Sequence, residues 1–135
     1  MNFFAIWGIG IISDMVALPV EKQEYLIENE FKSIKLSEFS MLIKTHYDKK
    51  MFSRSRNDIY EYPSDFTLLQ VSEICLSELK KNQWIILRTK KINDCKYIYV
   101  LQKNNLYALL NFEEPNFFSL QIGYITLENK INKFP

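Results

Sequence analysis

Between Trp84 and Phe112 the chain falls into three short apolar-rich runs, WIILRTKK, KYIYVLQK and LYALLNF, separated by INDC and NN. Aromatic and β-branched side chains at alternating positions predict three antiparallel strands joined by tight turns. Asn104-Asn105 is a two-residue hairpin turn, because asparagine tolerates the left-handed backbone such turns need. That turn fixes a register: Leu101 opposite Ala108, Tyr99 opposite Leu110, Tyr97 opposite Phe112, Val100 opposite Leu109 and Ile98 opposite Asn111. A four-residue turn at Ile92-Asn93-Asp94-Cys95 would set Leu87 opposite Val100 and Ile86 opposite Leu101. After a loop at Glu113–Asn116, Phe118, Leu120, Ile122 and Tyr124 alternate with Phe117, Ser119, Gln121 and Gly123, which predicts a fourth strand with one buried face.

Elsewhere the period changes. Leu68, Val71, Cys75 and Leu79, widened by Leu69 and Leu76, form a helical stripe within Ser64–Asn82, with Ser64 as cap and Gln70, Glu73, Ser77 and Lys81 on the wet face. Glu21–Lys35 runs from acidic to basic and spaces Ile27, Phe31 and Ile34 as a helix does. Leu36, Phe39, Ile43 and Tyr47 predict a further helix over Ser37–Lys50. Met51–Pro63 has no period and reads as an irregular loop. Phe3–Ile12 reads as a buried strand. It is cut off by Asp14 before it could span a bilayer, and it lacks the basic start and the cleavage site of a signal peptide.

Together these elements predict one α+β domain over residues 1–135, an antiparallel sheet of four or five strands with two to three helices packed on one face. Both faces of the sheet carry apolar side chains. The second therefore needs a cover of its own: the N-terminal segment, a twin subunit in a homodimer, or a partner.

Charge changes the picture little, since 17 basic residues meet 16 acidic ones. A dedicated nucleic-acid binder is more basic than that, so nucleic acid is an unfavoured partner. Cys75 and Cys95, in no metal-binding spacing and with a single histidine in the chain, read as free thiols of a cytoplasmic protein. There is no GxSxG, GxGxxG or GxxxxGK[ST], and the expectation is a non-enzyme that uses no cofactor or metal. His46 and Asp48, two apart on the expected helix, would point to different faces and form no dyad.

Three surface clusters remain. Arg54, Arg56, Asp58, Tyr60, Glu61 and Tyr62 crowd the irregular stretch, and Tyr and Arg are the usual anchors of protein interfaces. Asp58, Glu61, Asp65, Glu113 and Glu114 are acids of the predicted loops; gathered on one side they would suit a basic protein partner. Lys90, Lys91, Lys96 and Lys103 near the hairpin ends read as residues that keep sheet edges soluble.

A compact α+β domain without a catalytic signature or export signal, with A+T-skewed composition and aromatic, acidic loops, resembles the small immunity proteins of bacterial toxin systems, of the contact-dependent inhibition type. Those proteins share no motif, so the resemblance assigns no residue a role. It implies a cytoplasmic antidote that binds a cognate toxin domain. The alternatives are a small RNA-binding protein or RNase using Arg54, Arg56, Tyr60, Tyr62 and the hairpin lysines, and a structural subunit that dimerises through its second sheet face.

Overall fold

The computed structural model describes residues 18–93, 96–113 and 115–126. In chain order these form helix α1 (Val20–Ser33), a short 3-10 turn (Leu36–Glu38), strands β1 (Met41–Lys49) and β2 (Arg54–Glu61), and helix α2 (Leu68–Lys81). Strands β3 (Ile85–Asn93), β4 (Lys96–Lys103), β5 (Leu106–Glu113) and β6 (Phe117–Tyr124) follow. All six strands form one antiparallel sheet in the order β1-β2-β6-β5-β4-β3. The fold class is α+β as expected, with six strands rather than four or five and two α-helices among the described residues. The predicted N-terminal strand, Phe3–Ile12, lies outside the described residues.

The β4–β5 hairpin has the predicted register at every named pair, and Asn104 takes the left-handed conformation, φ 53°. Between β3 and β4, Ile86 faces Leu101 as expected, but Leu87 bulges out and Arg88 takes the place opposite Val100. Ile92 and Asn93, expected in the turn, belong to β3, and Asn93 pairs with Lys96; Asp94 and Cys95 lie outside the described residues.

Two expectations fail for identifiable reasons. Ser37–Lys50 is not a helix; its second part is the edge strand β1. Phe39, Ile43 and Tyr47 are spaced by four, and a spacing of four shares a face in a strand as well as in a helix. Ile43, Thr45 and Tyr47, β-branched or aromatic, fit the pleated conformation, and β2 supplies the partner. Met51–Pro63 is not a loop but contains β2, which lies between β1 and β6. Its alternation was invisible because the positions turned toward the helices include Arg56 and Asp58 rather than apolar residues.

Helix α2 begins at Leu68. Thr67, not Ser64, caps it in a reciprocal box: Gln70 N–H donates to Thr67 Oγ1 at 3.1 Å and Thr67 N–H to Gln70 Oε1 at 2.9 Å. It ends in a Schellman motif, with Gln83 N–H bonded to Lys80 C=O and Trp84 N–H to Leu79 C=O. Val71, Cys75 and Leu79 are buried as predicted and Leu76 packs partly against the core; Leu69 is exposed.

The core joins these helix residues and Ile27 of α1 to Tyr60, Leu101, Ala108, Leu110, Phe112, Phe118, Leu120 and Ile122. By strand alternation all these sheet residues point to one face, so both helices cover that face. Helix α1 is held by polar groups as well as by Ile27, Leu26 and Phe31. Gln23, fully buried, donates to Leu18 C=O and Phe52 C=O and accepts from Arg54 N–H, which ties α1 to the β1–β2 turn. Glu30 accepts from Trp84 Nε1 at 3.1 Å and pairs with Lys103 Nζ at 2.8 Å.

The far face carries apolar side chains as expected, Ile98, Val100, Tyr107 and Leu109 among them. Val100 and Tyr107 are buried there, but so are the side-chain oxygens of Asn57 and Asn111, which meet no donor among the described residues. The Tyr107 ring lies over Gly123, and its hydroxyl accepts from Gln121 Nε2 at 3.1 Å.

Candidate functional site

Strand β2 carries most of the residues singled out in the sequence and sorts them by parity. Arg54, Arg56, Asp58 and Tyr60 point toward the helices; Glu61 points to the far face. The first set forms an internal network. Arg56 donates to both carboxylate oxygens of Asp58 at 2.9 Å and to Glu28 at 2.7 Å, with its guanidinium 4.3 Å above the Phe31 ring. Tyr60 donates to Asp58 at 3.3 Å, and Arg54 pairs with Glu24 at 3.0 Å.

Burial alone would lower the Arg56 pKa, but Asp58 and Glu28 outweigh it and hold the guanidinium above its ordinary value. Burial, and then the Asp58 charge, push the Tyr60 hydroxyl well above the usual tyrosine range. The network leaves both arginines neutralised by carboxylates. A pocket of about 250 Å³ opens beside it, between α1 and the β1–β2 pair.

The tyrosines expected as interface anchors are core residues. Tyr60 is 5% exposed and stacks on Phe118 at 4.9 Å; Tyr62 is 2% exposed and lies 6.3 Å from the same ring. The pattern behind this was present in the sequence: Asp58, Tyr60 and Tyr62 are spaced by two.

The expected acidic ridge divides. Asp58 is buried with Arg56. Asp65 is exposed in the β2–α2 connection, and Glu114 lies outside the described residues. Glu61 and Glu113, fifty-two positions apart in sequence, are brought into one row. Each is the register partner of Phe117, from opposite sides. The row runs Met41, Glu61, Phe117, Glu113, Lys96 across five strands of the far face. Phe117 is 37% exposed and Met41 65%, and Glu113 pairs loosely with Lys96 at 3.5 Å. Adjacent strands are about 4.8 Å apart, so the backbones of Glu61 and Glu113 flank Phe117 at a separation of roughly 10 Å. Phe117 gave no signal in the sequence because it sits on the polar side of the β6 alternation, with Ser119, Gln121 and Gly123.

The hairpin lysines do not gather into a patch: Lys103 is bound to Glu30, Lys96 to Glu113, and Lys91 lies 5.9 Å from the Tyr97 ring. His46 and Asp48, placed on a strand instead of a helix, share the far face of β1 and are both exposed. Among the described residues there is no cluster of three or more metal-ligating side chains, and no helix is long and apolar enough to cross a membrane. Cys75 is a free, buried thiol whose pKa burial raises.

Searches against protein-family models, curated proteins and solved structures found no match for this chain.

Proposed function

We propose that this chain is an immunity-type protein, a cytoplasmic antidote that binds a basic toxin domain by protein–protein contact. The observation that carries the reading is the row on the far face: an exposed aromatic ring, Phe117, between the carboxylates of Glu61 and Glu113, with exposed Met41 beside it. Interfaces draw most of their affinity from a few aromatic anchors, and rim charges select and steer the partner. The arginines that would serve phosphate chemistry in an RNase are already held by Glu24, Glu28 and Asp58, which favours binding over that alternative.

The test is calorimetry with the toxin domain encoded beside this protein. Phe117→Ala should cost about 2 kcal/mol or more of binding, roughly thirtyfold in affinity. Glu61→Gln with Glu113→Gln should chiefly slow association and flatten its salt dependence. Wild-type binding by all of these folded variants would place the contact surface elsewhere.

A further inference from the structure

Among the described residues the sheet ends in β1 on one side and β3 on the other, and the two edges are unlike. Every residue of β1 except Thr45 is exposed, and no strand among the described residues pairs with its outer side. An open edge is a template for another strand. We propose that two copies of this chain pair β1 with β1, antiparallel about a two-fold axis through His46, joining two six-stranded sheets into one.

The charge pattern selects both the occupant and the register. Side chains directly opposite in an antiparallel pair share a face, so only residues of equal parity can be partnered. About His46, Lys44 of each copy meets Asp48 of the other, and Thr45 meets Tyr47, each pair occurring twice. Neither Lys44 nor Asp48 takes part in an ion pair among the described residues. The neighbouring registers are worse. An axis at Thr45 sets Lys44 against His46 and runs the pairing across the bulge at Ile43, whereas Lys44–Lys49 is regular. An axis at Tyr47 sets Lys44 against Lys50. Like charges directly opposite destabilise a pair, and opposite charges stabilise it.

Strand β3 shows what an edge unsuited to self-pairing looks like. It carries Arg88, Lys90 and Lys91 and is interrupted by bulges at Leu87 and Ile92. An axis at Thr89 would set Arg88 against Lys90 twice. Within this protein the cations and bulges that block edge-to-edge association are concentrated on β3, and the alternating signs lie on β1. The paired stretch, residues 44–48, leaves Met41 and the Glu61–Phe117–Glu113 row uncovered, so this inference stands apart from the toxin-binding reading.

Cysteine scanning in a Cys95→Ser background tests the register. Residues on the axis have Cα atoms about 4.5–5.5 Å apart, within disulfide range. His46→Cys should therefore give a covalent dimer under mild oxidation. Lys44→Cys and Asp48→Cys should not cross-link alone, since each is offset from its own copy by about 13 Å along the strand, but an equal mixture of the two should. In sedimentation, Lys44→Glu or Asp48→Lys should weaken self-association by about tenfold, and the double charge swap should restore it. A protein that stays monomeric from micromolar to millimolar concentration overturns the proposal. So does cross-linking that is equal at all three positions, or self-association indifferent to the charge swaps.

Discussion

Arg56 grips Asp58 two residues along its own strand, with Nε and Nη2 each 2.9 Å from a carboxylate oxygen. The Asp58 side chain is 2% exposed, so its charge is sustained by this contact and by the Tyr60 hydroxyl. Removing one member of such a pair strands the other. Arg56 also holds Glu28, so the stranded charge is Asp58 when Arg56 is lost: Arg56→Met should cost about 3–5 kcal/mol in urea unfolding. The double variant Arg56→Met with Asp58→Leu should cost less than Arg56→Met alone, because no buried unpaired carboxylate remains. Equal losses would mean that water reaches the site.

Gly123 is kept bare by Tyr107. A Cβ at this position would lie 2.6 Å from two carbons of the tyrosine ring, and that ring is itself buried and held by Gln121. Gly123→Ala should destabilise by roughly 1–3 kcal/mol through overpacking. The penalty should shrink in a Tyr107→Leu background, and a thermal-melt double-mutant cycle reads that coupling.

Gln83 pays a conformational cost to close α2. Its φ of 69° is the left-handed conformation that glycine normally supplies at this point of a Schellman motif. Gln83→Gly should stabilise the fold by up to about 1 kcal/mol, and Gln83→Val should destabilise it by at least as much. The midpoint of denaturant unfolding, at unchanged slope, is the readout.

Alkaline pH should unfold the protein in two stages. Burial raises the pKa of the Cys75 thiol and of the Tyr60 hydroxyl above their unfolded values. Each group therefore contributes stability that is fully present below its unfolded pKa and is lost as pH rises above it. The loss should begin near pH ~8.5 for Cys75 and steepen near ~10 for Tyr60. Cys75→Ala should remove the first stage and leave the second. Below pH ~8 the melting temperature should not respond to either group.

The hairpin register from Tyr97 to Phe112 and the stripe of α2 could be read directly, because each packs one clean apolar face and the period alone reports it. Strand β2 could not, because its helix-facing side buries Arg56 and Asp58, which look like solvent-exposed residues until Glu28 and Phe31 are placed above them. Strand β1 was hidden by a spacing of four that fits either period. Of the candidate site, Glu61, Asp65 and Glu113 are exposed as the sequence suggested, while Tyr60 and Tyr62 went to the core.

The alternation of β4, β5 and β6 and the place of the β4–β5 turn are local consequences of side-chain period and backbone freedom, and so are written in the chain. Which residues share a surface depends on strand order, which no local pattern encodes. Glu61 and Glu113 become neighbours of Phe117 because β6 is inserted between β2 and β5, and that strand order sets which faces align. A strand's own period says that it has two faces. What lies beside each face is set by long-range pairing, which buries the most apolar surface for the whole sheet at once.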